Sequence, residues 1–566
     1  MFQKKGLGKN VSTGKISIVL LLLLISTNTV ASKDIVYLEQ GWNNQQRTAF
    51  YETPQGSYLI PLSWYFALEQ PENKKLFSNP KHIKKYKYTF ADYEYGLGKK
   101  IPLGFAVETV NGSQDWLGYT CAACHTNDIV YKGTRLRIDG APTLADFNGF
   151  IARLQQSVDA TLQDDKKFDR FASRVLVSED TVLFEALRTE LTSYFDSLAA
   201  FTARNNSKIN YGYARLDAFG IIMNEVFAND LHFPGNISEP NAPVSYPFLW
   251  NTSQHDWVQW NGSANNPLGR NVGEVLGTFG SVNLVDLQKL GESSARGKEL
   301  IDLENLVKIL TPPKWPEKIL GELDQDKVAQ GRIIYEQFRD NELSCAYCHP
   351  LRDSAGNYPV TPAEENMFGV QFVETKMTPL KEIGTDPLMA TNFATRIVST
   401  AHLAPYLPPP YTGASELPAP ALLSILVGLA TQNAIGNIQP PLSASEVADA
   451  IGYRIEADGL PPYSPKNLLA YRARPLDGIW ASAPYLHNGS VQNLYELLRP
   501  AEKRKTKFYV GSRKFNPKYV GFANKRNPRT SLLDVSLPGN SNLGHEYGTG
   551  LSDVDKWALI EFLKSL

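Results

Sequence analysis

All four cysteines of the chain fall in two copies of one pattern, Cys121-Ala122-Ala123-Cys124-His125 and Cys345-Ala346-Tyr347-Cys348-His349. No other feature restricts so strongly what the chain folds around. Each copy sets two thiols one helical turn apart with a histidine directly after the second, the arrangement of a c-type haem attachment site. The thiols form thioethers with the two vinyl groups on one porphyrin edge, and the histidine supplies the proximal nitrogen to iron. Three plainer readings compete: one four-thiolate zinc site, a dithiol redox motif, or two local disulfides. Zinc does not explain a histidine after both second cysteines, and a dithiol motif needs no distant copy.

The chain has 566 residues. At about 100–200 residues per domain this is two large domains or more, which fits one motif in each. Basic and acidic residues nearly cancel, 57 against 58, so nothing marks a nucleic-acid partner. Lys4, Lys5, Lys9 and Lys15 precede an apolar run from Ile16 to Ile25, and Val30, Ala31 and Ser32 follow. That is the layout of a signal peptide, and the run is shorter than the about 20 residues a membrane span needs. The expected architecture is mainly α: two cytochrome c-like haem domains with long loops and large insertions. Residues 1–32 are the signal peptide, 33–316 the N-terminal haem domain and 317–566 the C-terminal one. Export to the periplasm or beyond, with no stable membrane span after cleavage, agrees with covalent haem.

Along the chain, residues 33–98 show no clean helical period. Their basic cluster, Lys74, Lys75, Lys81, Lys84, Lys85 and Lys87, reads as a solvated face with an exposed His82 in it. Leu144, Phe147, Ile151, Leu154, Val158 and Leu162 recur at helical spacing, and a second helix is expected from Thr181 to Phe201 after Ser178. Residues 243–280 read as an aromatic and amide-rich loop. Prolines around Thr311 to Pro316 mark a boundary. Beyond it Val328, Gly331, Arg332, Ile333, Tyr335 and Phe338 form a helix leading into the second motif. Ser552 caps a last helix with Val554, Trp557, Ala558, Leu559, Phe562 and Leu563 on its apolar side. This pair looks like the first and last helices of a cytochrome c domain. Proline-rich loops, Pro405 to Pro420 and Pro461 to Pro465, lie between them.

An electron-transfer haem has two strong axial ligands, whereas one that activates oxygen or peroxide keeps a position free. With His125 and His349 assigned as proximal ligands, the first domain offers His82, His232, His255 and Met223, none in a ligand-like loop. The second offers His402, His487, His545, Met367, Met377 and Met389. His545, in Leu543-Gly544-His545-Glu546 shortly before the last helix, is the expected second ligand of the C-terminal iron, and the first iron is expected open. His487 lies in a compact turn, Ala483-Pro484-Tyr485-Leu486-His487-Asn488-Gly489-Ser490.

The stretch from Arg472 through Trp480 to Ser490 resembles the Ala-Pro-Tyr-x-His-(Asp/Asn)-Gly-Ser signature of the di-haem cytochrome c peroxidase superfamily. The wide spacing of the two motifs and the tryptophan-rich segment make it most similar to the rubber oxygenase branch. That resemblance implies a first haem held by His125 alone, which binds dioxygen, and a second held by His349 and His545. It also implies a tryptophan between the haems, Trp257 or Trp260, and a distal phenylalanine, for which Phe279 is the guess. Trp257, Trp260 and His487 are thus the candidate catalytic residues, and Cys121, Cys124, His125, Cys345, Cys348 and His349 hold the cofactor. A calcium ion between the domains stays open.

Two functions follow. One is an oxidoreductase whose open haem reacts with peroxide or dioxygen, its partner a small redox protein or its substrate hydrophobic. For a distal acid or base the sequence offers only His255, Asp256 and Glu274, and that scarcity favours the oxygenase branch. The other is a two-haem electron carrier without chemistry of its own.

Overall fold

The computed structural model describes residues 35–91, 98–176, 181–265, 267–337, 344–365, 369–451 and 468–566. The leader, the Ser178 cap, Phe338, Met367 and the 461–465 loop lie outside them. Helices predominate, as expected, but the first motif is framed by strands. Strand Gln114–Tyr119 enters it after pairing antiparallel with Phe105–Val110, and Thr126–Tyr131 leaves it to pair with Thr134–Asp139. Both hairpins reverse through residues with positive φ, Asn111-Gly112 and Lys132-Gly133. Such turns match the right-handed strand twist and favour Asn and Gly. These strands, with the short helix Asn44–Glu52 before them, are the part of the first half that helical periodicity does not reveal.

The ladder after the motif is locked by Asp128, which accepts from Arg137 at 2.9 Å with both side chains inaccessible to solvent. Arg135 adds a half-exposed contact at 3.1 Å. Burial raises the Asp128 pKa, but the facing guanidinium charges outweigh it and hold the carboxyl down at about 2. A carboxyl depressed in the fold adds stability that is present above its unfolded value of about 3.9 and is lost as pH falls through the folded one. Asp128→Asn leaves Arg137 buried and unpaired, so a loss of about 3–5 kcal/mol is expected in denaturant unfolding. A change below 1 kcal/mol would show the pair to be dispensable.

Helices Phe147–Gln163 and Thr181–Arg204 match the periodicity. The predicted basic face is exposed except at Lys87, but His82 is buried. Its ring packs against Phe77 and Tyr86, and neither nitrogen has a partner. The expectation of an exposed histidine was drawn from its lysine neighbours. Here those lysines point outward while His82, on the same short helix Pro80–Ile83, points in.

In the second half, Gln325–Glu336 leads into the motif and crosses Asp553–Ser565, which Ser552 caps as expected. Gly331 permits this crossing, since a Cβ there would strike the Ala558 carbonyl and the Phe562 side chain. Val554, expected on the apolar side, is 76% exposed because it lies one turn short of the crossing. The proline segment at 311–316 is not a seam in the packing: Trp42, Leu136 and Trp250 share one core with Tyr335, Trp480 and Phe562. Two discrete cytochrome c-like domains are therefore not discernible. Ala419–Gly436 is long and apolar enough to cross a membrane, and half of it is buried, packed in a core with Leu276 and Leu300.

Candidate haem centres

Both motifs fold as a single helical turn whose last residue is the histidine. His125 N–H donates to the Cys121 carbonyl at 2.9 Å, and His349 N–H to the Cys345 carbonyl at 2.8 Å. The imidazoles are then fixed alike. His125 Nδ1 meets the Pro247 carbonyl at 2.8 Å and His349 Nδ1 the Arg474 carbonyl at 2.7 Å. A carbonyl oxygen only accepts, so Nδ1 carries the proton and Nε2 presents its lone pair, the tautomer a metal needs. Burial pushes the His125 pKa down to about 4, against the pull of the Pro247 carbonyl, and likewise lowers that of His349. Both rings are neutral at physiological pH.

Cys345 and Cys348 line one cavity and Cys121 another, while Cys124 packs into the core beside it. The larger holds Cys345, Cys348, His349 and His545 within mostly apolar walls that include Leu494, Leu498, Leu559 and Leu563. The His349 and His545 ring centres are 6.3 Å apart. One metal bonded to both nitrogens at about 2 Å, with each ring centre about 1 Å behind its nitrogen, gives about this spacing. Gly544 and His545 both have positive φ, 70° and 49°, and His545 N–H donates to the Ile383 carbonyl at 2.8 Å. Arg504 donates to the carbonyls of Asn542, Gly544 and His545 at 2.6, 2.8 and 3.1 Å. A non-glycine residue in left-handed backbone is strained, and the buried arginine holds it there. Burial, reinforced by the nearby His349 and Arg504, pushes the His545 pKa down to about 3.

The smaller cavity holds Cys121 and His125 with Gln259, Arg270, Glu274 and Glu304. Among the described residues no further histidine and no methionine lines it. Gln259 Nε2 donates to Glu274 Oε1 at 3.0 Å, and Arg270 pairs with Glu304 at 2.5 Å. Burial raises the Glu274 pKa, opposed by the Arg270 charge. Gln55 Nε2 donates to the Cys121 sulfur at 3.0 Å, and burial raises that thiol to about 12.

The remaining ligand candidates have other places. His255 Nδ1 accepts from Arg472 at 2.9 Å, His402 Nε2 donates to the Leu284 carbonyl at 2.7 Å, and Met223 and Met389 are core residues. Asp256 accepts from Trp257 and Thr375 at 2.8 and 3.0 Å and is spent on folding. Trp260 lines the larger cavity, packs against His487 at 6.5 Å and donates to the Ser245 carbonyl at 2.9 Å, whereas Trp257 is buried outside both cavities. His487 lines the larger cavity too, stacked on Tyr471 at 4.0 Å. Phe279 stacks on Phe201 at 4.5 Å in the core that includes Cys124. Sequence reasoning named Glu274 among three candidates but missed Gln259 as its partner and the two arginines, Arg472 and Arg474, that line both cavities. Among the described residues no group of three or more His, Cys, Asp or Glu side chains is placed to hold a metal ion by itself.

Residues 470–509 match a family described as RoxA-like, cytochrome c-like. The match spans a small part of the chain and marks a relation at the level of the superfamily. It covers Arg472, Arg474 and His487. Among curated proteins, the uncharacterized protein y4iJ of Sinorhizobium fredii (strain NBRC 101917 / NGR234) is 31% identical across 94% of this chain and 93% of its own length. The uncharacterized protein y4iM of the same strain is 24% identical across 55% of this chain and 60% of its own. With near-complete coverage at that identity, the chain belongs to the family of y4iJ, a family distantly related to the RoxA-like cytochromes.

Proposed function

We propose that the protein is an exported di-haem c-type oxidoreductase in which the centre at His125 reacts and the centre at His349 relays electrons. The observation that carries this is the asymmetry of the two cavities: His545 faces His349 with ring centres 6.3 Å apart, while among the described residues no second imidazole or thioether lines the cavity of His125. When bound, haem supplies an iron that takes up peroxide or dioxygen and passes single electrons. Cys121 and Cys124 anchor one group and Cys345 and Cys348 the other. His125 and His349, oriented by the Pro247 and Arg474 carbonyls, offer Nε2 as the proximal ligand.

Glu274 is the residue suited to move a proton at the reacting centre. Its Oε1 is held by Gln259, and its raised pKa places the carboxyl nearer neutrality, where proton transfer is efficient. That favours peroxide as the oxidant and a small redox protein as the donor. Dioxygen cleavage of a hydrophobic substrate is the second reading, and the RoxA-like match of residues 470–509 speaks for it. Trp260, on the wall of the larger cavity and packed against His487, is the tryptophan suited to carry electrons between the centres.

The test is direct. The exported protein should keep a haem stain through denaturing electrophoresis, and carbon monoxide should shift the Soret band of one reduced haem and leave the other unchanged. A colourless protein sinks the proposal, and two unresponsive haems leave an electron carrier. If one responds, turnover of peroxide with a reduced cytochrome against oxygen uptake with polyisoprene separates the two readings.

A further inference from the structure

Between the two centres lies a buried cation with no counter-charge. Arg474 is 4% exposed and follows strand Ala470–Ala473, which pairs with Lys376–Pro379. Its Nη2 donates to the Phe248 carbonyl at 2.8 Å and to Thr252 Oγ1 at 3.1 Å. The guanidinium carbon stands 3.4 Å from the centre of the Phe248 ring. Its Nε and Nη1 are buried without a partner, and the charge that acts on it is that of a second buried arginine, Arg472. Two adjacent arginines in one buried place repel each other, and an unpaired buried charge costs several kcal/mol. A chain keeps such a group where an anion from outside the polypeptide compensates it.

Position says which anion. Arg472 and Arg474 line both cavities, that of Cys345 and that of Cys121. The carbonyl of Arg474 orients His349, and its side chain grips Phe248, the residue after the Pro247 carbonyl that orients His125. One residue therefore joins the two proximal histidines through three hydrogen bonds. We propose that Arg474 is a carboxylate-binding bridge, its free N–H groups taking propionates of the prosthetic groups and its charge acting on both centres at once. This rests on the di-haem reading above. A porphyrin carries two carboxylates on the edge opposite its vinyl groups, and the planar donor fork of arginine matches them.

The consequence is electrostatic. Reduction adds a negative charge to each centre, so a cation between them favours the reduced form of both. In the full-length haem-loaded protein, Arg474→Gln should lower both midpoint potentials in a spectroelectrochemical titration while two haems per chain are retained. Arg474→Lys, which keeps the charge, should leave both nearer the wild-type values. Unchanged potentials in the glutamine variant, or a fall at one haem alone, would overturn the bridge. A second measurement needs no variant. The propionate bending bands in the resonance Raman spectrum of the wild type should stay constant through the pH range where a free carboxylate titrates, and bands that titrate overturn the proposal. A wild-type protein without haem would instead overturn the di-haem reading.

Discussion

His545→Ala is expected to convert the C-terminal haem from low spin to high spin without releasing it, since both thioethers remain. The iron loses one of two strong ligands, so carbon monoxide should then shift both Soret contributions rather than one. Donor-dependent turnover should fall by more than the about 10–100-fold typical of losing a residue behind a ligand. The loop itself should hold, because Arg504 grips the backbone carbonyls of Asn542, Gly544 and His545 and none of the imidazole atoms. A low-spin spectrum unchanged by the substitution would mean that another residue faces His349.

The second large effect concerns Glu274. Glu274→Gln preserves the shape and the contact with Gln259 but removes the proton carrier, so peroxide turnover should fall by about 10²–10⁴-fold. Haem content and carbon monoxide binding should not change. The direction of its pKa adds a sharper expectation. The base form of a carboxyl raised by burial appears only above the ordinary range near about 4.3, so the acidic limb of kcat/KM for peroxide should lie at higher pH than that. In the glutamine variant the limb should vanish. A full-rate variant with the same profile would remove Glu274 from the reaction and leave the dioxygen reading ahead.

What was legible in advance follows from how local each feature is. A haem attachment site is written in five consecutive residues, and the structure keeps each as one helical turn. The two cytochrome-like helices were visible because Gly331 and the spacing of Ala558 and Phe562 are local patterns. That His545 comes to face His349 was within reach because a short loop before the last helix has few places to go. By contrast, Gln259 and Glu274 stand 15 residues apart, one in an irregular loop and one on helix Pro267–Leu276, so nothing in the sequence pairs them. The pairing of the two is made by folding. Arg474 shows the same limit more strongly, since its meaning depends on Phe248, 226 positions away. His82 misled for the opposite reason: its neighbours are lysines, and a short helix places adjacent residues on opposite sides.

The matching of the two proximal imidazoles has one more consequence. Each donates its Nδ1 proton to a neutral peptide oxygen, whereas a carboxylate in that position would make the ring more basic and a stronger electron donor. Neither ring gains imidazolate character, and with haem bound as proposed the push toward iron from behind would be the same at both. Any difference in chemistry between the two centres would then come from the other side of the bound group, where His545 faces His349 in one cavity and no second imidazole lines the other among the described residues. Exchanging the behaviours of the two centres would require rebuilding that other side in each and nothing behind the two rings.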